Sequence, residues 1–323
     1  MADNLKPTVT VGITAFECET SLETAVNSAL NQDYAPLYVI IADDGSMDNT
    51  PRLARTLASK HPNISFIEGR KNRGVAATRN AIVDRVKTDF IAFFDDDDIS
   101  QPTRVRQQLE RIMECEAQTG AELVVCHTAR QVHYPNGTTR YERCLAQNGG
   151  TMGAVGPAVS ASILLGLKVS GGRGACPTCS QMARTTTYRA VGGFDENLRR
   201  SEDTEFCIRA GMKGATFVGI SEPLVEQKMT ATSDKSLEIE LENWRYVYGK
   251  HRDLISAHTS FDFMMNWLAL RHKWLAKNHM DFLLGLLKLT YQHPVRSMQR
   301  IMLALPNAKV NWSFSIFHHR SEK

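Results

Sequence analysis

Residues 90–98 read Phe90-Ile91-Ala92-Phe93-Phe94-Asp95-Asp96-Asp97-Asp98, an unbroken apolar run closed by four aspartates. A run without polar interruption suits a strand whose sheet is covered on both faces, because neither side of the pleat meets water. The pattern has a precedent upstream. Leu37-Tyr38-Val39-Ile40-Ile41 is a second such run, and the loop after it, residues 42–48, carries Asp43, Asp44 and Asp48. Outward from these two strands, residues 9–14 and 64–67 are β-rich, while Leu22, Ala25, Val26, Ala29 and Leu30 fall at helical spacing within a helix expected over 19–30. The spacing predicts further helices over 48–58, capped by Asp48 or Asn49 with Pro51 in the first turn, over 75–86 and over 101–118. A strand over 122–126 follows. This alternation predicts an α/β chain with a mostly parallel, Rossmann-like sheet flanked by helices.

Order is weaker from 130 to 180, where an apolar helical piece is expected at 163–169 and a mobile glycine-rich loop at 170–174. It returns with a strand at 180–186 and a helix at 202–212, and residues from 237 onward read as helical. The 323 residues are 42% apolar and 23% charged, with 21 Gly and 11 Pro, which excludes disordered, collagen-like and coiled-coil classes. No apolar run approaches the roughly 18 residues of a spanning helix, and the first residues lack a secretory h-region. The expectation is a cytoplasmic protein, soluble or peripherally attached. Seven cysteines spread along the chain do not form a disulfide framework. Cys176 and Cys179 make one C-x-x-C with no partner motif, so their role stays open, buried thiols being the plainer reading.

Ligands of open parallel sheets bind beyond the carboxyl ends of strands. Both acidic loops fall at that edge. Four adjacent aspartates repel one another unless a cation lies among them, and hard oxygen ligands suit Mg²⁺ or Mn²⁺ on substrate phosphates. A solvated acidic turn is the alternative. Asn72-Arg73-Gly74 precedes a helix that carries Arg79, whose guanidinium can meet either the acidic loop or a phosphate. Neither a dinucleotide fingerprint nor a P-loop is present.

Five elements in order give the chain a family resemblance. They are residues 9–17, the Ala42-Asp-Asp-Gly-Ser-Met-Asp-Asn-Thr loop, residues 72–80, Phe93-Phe-Asp-Asp-Asp-Asp, and Gly192-Gly-Phe-Asp-Glu-Asn-Leu followed by Glu202-Asp203. Over about residues 8–220 the sequence resembles the inverting, non-processive, GT-A-type glycosyltransferases of family 2. The resemblance implies a hexosyltransferase that uses a nucleotide-sugar, most simply UDP-linked, with Mn²⁺ or Mg²⁺. It implies that Asp44, with Asp43 second, receives the nucleobase beside Ala15 and Phe16, while Asn72 and Gly74 shape the donor pocket. It makes Asp97 the metal ligand, with Asp95 near ribose and metal, Asp96 in the same loop, Arg79 bracing loop or phosphates, and Asp203 the general base. Helix capping is the competing account of Glu202-Asp203.

Departures qualify this. Thr14 and Glu17 replace the usual Pro and Asn, no Q-x-x-R-W of processive synthases is present, and Glu226-Gln-Lys stands where many relatives carry R-x-H. The implied organisation is a catalytic domain over 1–235, with a nucleotide-sugar half at 8–130 and an acceptor half at 131–235, then a helical region at 236–323. The acceptor would be a glycan or a lipid-linked saccharide in bacterial surface polysaccharide synthesis at the inner face of the membrane. An inactive scaffold subunit and a sugar nucleotidyltransferase are the alternatives. Net charge is only +3, yet residues 249–323 hold 11 Lys and Arg against 4 Asp and Glu. Trp267, Trp274 and the 282–291 stretch lie among these basic residues. Peripheral membrane contact through this region and simple packing on protein both remain open, whereas no nucleic-acid motif appears.

Overall fold

The computed structural model describes residues 6–229 and 237–304. They form two compact units. One comprises residues up to 229, apart from 134–137 and 164–166, and the other takes those two segments with the C-terminal helices.

In the first unit β1 (Val9–Ala15) is flanked in parallel by β2 (Leu37–Asp43) and β4 (Phe90–Asp95), and β3 (Ile64–Ile67) pairs with β2. The short β5 (Ile99–Ser100) follows the acidic loop, and β6 (Val124–His133) carries a hairpin partner, β7 (Thr139–Glu142). After β8 (Ala154–Val155) come β9 (Gln181–Arg184) and β10 (Thr216–Lys228). The sheet runs β3-β2-β1-β4-β9-β6-β10-β5, with β7 and β8 attached to β6 and β10. Its first four strands are parallel as expected. The sheet as a whole is mixed, because β9 inserts antiparallel between β4 and β6.

The unbroken apolar runs have the expected cause. In β4, Phe90, Ala92 and Phe94 face one core layer, and Ile91 and Phe93 face the other. In β2, Val39 and Ile41 divide from Ile40 and Ala42 in the same way. The first layer is closed by α1 (Leu22–Leu30), α2 (Thr50–Lys60) and α4 (Arg104–Thr119), whose Val105, Leu109, Ile112 and Cys115 keep helical spacing. The second is closed by α3 (Val75–Arg85), α6 (Thr185–Val191) and α7 (Glu202–Met212).

Two helix bounds need correction. α1 begins at Leu22 rather than 19, because Glu19 serves a loop: its carboxylate accepts from the Asn49 amide at 2.9 Å. The helix expected at 163–169 is α5 (Pro157–Leu165), begun by proline and ended by Gly166 at φ +69°. The glycine-rich loop at 170–174 is exposed at Ser170, Arg173 and Gly174 and touches neighbouring main chain. Asn148 donates to the Gly171 carbonyl at 2.9 Å, and a Cβ on Gly174 would fall 2.2 Å from the Cys144 carbonyl.

The second unit is helical: α8 (Leu237–Lys250), α9 (Arg252–His258), α10 (Phe261–Leu275), α11 (His279–Gln292) and α12 (Pro294–Ala304). Ser260 caps α10 by accepting the Phe263 amide, and Asn278 caps α11 by accepting that of Asp281. Trp267 stacks on Phe263 rather than standing in solvent. None of the described helices is long and apolar enough to cross a membrane.

Phe93 is fully buried and meets the Tyr188 and Phe194 rings edge-on at 5.3 and 5.6 Å. Phe93→Ala is expected to destabilise the fold by about 3–5 kcal/mol, measured by chemical denaturation.

Candidate active site

Strand register brings the acidic loops together. Ala15 lies opposite Asp43 and Thr14 opposite Asp95, so the loops after β1, β2 and β4 leave the sheet side by side. Asp43 folds its own loop: Oδ2 accepts the Gly45 and Ser46 amides at 2.9 and 3.1 Å, and Oδ1 accepts the Ser46 hydroxyl at 2.5 Å. Asp44 reaches outward and clamps the next loop, accepting the Arg73 and Gly74 amides at 2.8 Å each. These are charge-assisted bonds that fix both carboxylates. Gly45, at φ +77°, is required here, since a Cβ would sit 2.4 Å from the Lys71 carbonyl carbon.

The turn after β1 is held between the same loops. The Ala15 carbonyl accepts the Asp44 amide, and Phe16 donates its amide to Asp96 Oδ2, both at 2.9 Å. Ala15 is buried, and Phe16 is 42% exposed. Burial pushes the Asp96 carboxyl up to about 7, against the Phe16 amide, which favours the ionised form.

Arg79 joins this edge to the far half of the unit. Only 5% exposed, it pairs with Glu202 through Nη1 and with Asp95 through Nη2 at 3.3 Å, and it lies over the Phe194 ring at 5.6 Å. Burial disfavours its charge, but Glu202, Asp95 and Asp203 outweigh this and raise its pKa above the usual arginine value. Asn80 adds a neutral link, accepting the Phe194 amide at 2.7 Å and donating to the Phe194 carbonyl at 2.9 Å. Gly193, at φ +65°, permits that approach: a Cβ would lie 2.5 Å from Asn80 Oδ1. Asn72 accepts from Arg199 at 2.7 Å. The motif segments around residues 72–80, 93–98, 192–198 and 202–203 are thus one connected structure. Asp203 is the second residue of α7 and is half-buried. Its Oδ1 accepts the Thr204 amide and hydroxyl at 2.6 and 3.1 Å.

The acidic loop shows one grouping that sequence alone does not. Oxygens of Asp95 and Asp98 and the Cys179 sulfur lie within 4.8 Å of one another, while Asp97, half-buried in the same loop, is not in the group. Asp98 is 4% exposed; Oδ1 accepts the Lys228 amide at 3.2 Å, and Oδ2 is buried without a hydrogen-bond partner. An orphaned carboxylate oxygen beside a second carboxylate fits a hard divalent cation. Burial holds the Cys179 thiol protonated, so its sulfur is a poor ligand for such an ion. Beneath the group, Arg130 Nη1 lies 3.9 Å from Cys179 and also bonds Gln227. Glu202, Asp98 and Cys179 are the residues that sequence reasoning left without a role. The first two had a signal, being the neighbours of assigned carboxylates; Cys179 had only a C-x-x-C that pointed elsewhere. Glu226, standing where relatives carry R-x-H, pairs with His133 of β6.

Residues 10–145 match the family model described as glycosyl transferase family 2. Chondroitin synthase of Escherichia coli is 36% identical over 104 residues, 32% of this chain and 15% of that protein. The putative glycosyltransferase EpsE of Bacillus subtilis (strain 168) is 34% identical over 33% of this chain and 38% of its own length. Succinoglycan biosynthesis protein ExoA of Rhizobium meliloti (strain 1021) is 28% identical over 66% of this chain and 61% of its own. The chain therefore spans well under half of the first two relatives. Among solved structures, S. aureus TarS superposes with a TM-score of 0.59 at 18% identity, covering 82% of this chain and 43% of that one. TarS 1–349 in complex with UDP gives 0.58 at 15% identity over 98% and 92%. The family match over residues 10–145 and the fold shared with TarS agree with the motif resemblance.

Burial pushes the Asp98 carboxyl up to about 8, with Asp95 and Asp97 adding to the shift. A carboxyl raised above its unfolded value binds more protons when folded, so it makes metal-free protein less stable as pH rises from about 4 to about 8. Asp98→Asn is expected to flatten that slope, read by chemical denaturation in a chelator between pH 5 and 8.

Proposed function

We propose that this glycosyl transferase family 2 fold catalyses metal-dependent, inverting transfer of a single sugar from a nucleotide-sugar, UDP-linked, to a glycan or lipid-linked saccharide. The carrying observation is the joining of the acidic loop to Asp203 through one buried arginine: Asp95 and Glu202 share Arg79, and Asp203 follows Glu202. TarS 1–349 has been solved with UDP-GlcNAc, at a TM-score of 0.57 and 16% identity to this chain, which supports the donor class. Chondroitin and hyaluronan synthases and succinoglycan proteins among the relatives support a role in polysaccharide synthesis.

Each residue then has a task. The exposed Phe16 ring offers a face to the nucleobase, and Asp44 and Asp43 border its edge; each Asp44 oxygen accepts a single amide and keeps a second lone pair. Asn72 and Gly74 shape the wall of the same pocket. Asp97, Asp95 and Asp98 would hold Mn²⁺ or Mg²⁺, which when bound neutralises charge gathering on the leaving diphosphate. Arg79 is a positioning residue that keeps the acidic loop and the head of α7 in fixed relation. Asp203 takes the proton from the acceptor hydroxyl; Thr204 fixes its Oδ1 and leaves Oδ2 to receive it. A single displacement from the opposite face turns an α-linked donor into a β-linked product. The place of action is the cytoplasmic face of the membrane, with residues 236–323 making peripheral contact.

Asp203→Asn is expected to lower turnover roughly 10²–10⁴-fold while leaving donor binding intact. Thermal shift with UDP and UDP-sugars, with and without Mn²⁺, tests the donor side. A Mn²⁺-dependent rise in Tm that Asp97→Ala abolishes is the expected result. No shift with any nucleotide would instead favour an inactive, scaffold-like role.

A further inference from the structure

Helix α11 is apolar on two opposite faces. On the inner face of α11, Leu289 is buried and Gly285 lies so close to Leu270 that a Cβ would be 2.5 Å from its Cδ2. On the outer face Met280, Leu283, Leu284, Leu287 and Tyr291 recur at helical spacing and are 51–90% exposed. Helix α12 repeats the pattern with Val295, Met298 and Met302, 56–68% exposed. Singly scattered apolar residues on a surface are ordinary; a row of this length on consecutive helices marks a binding face.

Charge identifies the occupant. Among residues 277–304, the exposed basic side chains Lys277, Lys288 and Arg296 outnumber a single acid, Asp281, while Arg300 lies over the Trp267 ring. Trp274 is half-exposed at the preceding turn. We propose that this outer face of α11 and α12 docks on an anionic phospholipid bilayer. Leucine and methionine enter the acyl boundary, Tyr291 and Trp274 sit at headgroup depth, and the basic side chains extend to lipid phosphates. Pairing with a second copy would set the same basic rim against itself across a two-fold axis, with only Asp281 to offset it. At 14 residues α11 is too short to span the hydrocarbon, so the contact lies along the surface. The inference gives the peripheral contact proposed above a defined face and lipid charge. It is independent of the donor chemistry.

The test is co-sedimentation of the full chain with phosphatidylglycerol-containing vesicles and with pure phosphatidylcholine vesicles, at low and high salt. Binding to the anionic vesicles, weakened by salt, is expected. The double variant Leu284→Glu, Leu287→Glu alters exposed positions, so its Tm and its nucleotide-induced shift should match those of the parent. Its vesicle binding should fall more than about tenfold. Unchanged binding by this variant, or no binding by the parent, would overturn the proposal. Sedimentation velocity covers the rival: a parent dimer that the variant converts to monomer, with neither bound to vesicles, assigns the face to a second copy. Loss of the nucleotide shift in the parent would count against the catalytic reading and leave the membrane face standing.

Discussion

One buried guanidinium sets the geometry on which the candidate site depends. Arg79 comes from the second turn of α3, Asp95 from the end of β4 and Glu202 from the head of α7, three segments that no local interaction would bring together. Removing one member of such a pair leaves an uncompensated buried charge, at a cost of about 3–5 kcal/mol. Asn80, one residue on, holds the Phe194 main chain by two neutral bonds and donates to the Glu196 carboxylate. The first two turns of α3 are therefore a hub rather than a wall of the pocket.

Much of this was legible because the early strands are covered on both faces. Their unbroken apolar runs end where carboxylates begin, and parallel topology places those ends on one edge. Helix α7 begins at Glu202, as its acidic first turn suggests. The position of β9 was not legible. Four residues, Gln181–Arg184, choose partners about ninety and sixty positions away by register and packing, which no local pattern encodes. The same non-local pairing carries Cys179 to the acidic loop. Composition likewise marked the C-terminal helices as basic and aromatic without separating faces. Trp267 packs inward on Phe263, whereas Leu284 and Leu287 stand outside.

Glu202 and Asp203 show how adjacency in sequence becomes division of labour. Successive helical residues point about 100° apart. Glu202 is accordingly buried on Arg79, and Asp203 is left at the rim with Thr204 beside it. Helix geometry thus gives two adjacent carboxylates different surroundings, one bound to Arg79 and the other at the rim.

The carboxylates of Asp43 and Asp44 hold their loops through main-chain amides before any ligand arrives. The conformational freedom of these segments is given up during folding, not at binding. A donor would then meet a rigid mould. Discrimination between nucleotides would follow shape and fixed dipoles, with little adjustment of the backbone, and a base of the wrong outline would be refused at first contact rather than accommodated.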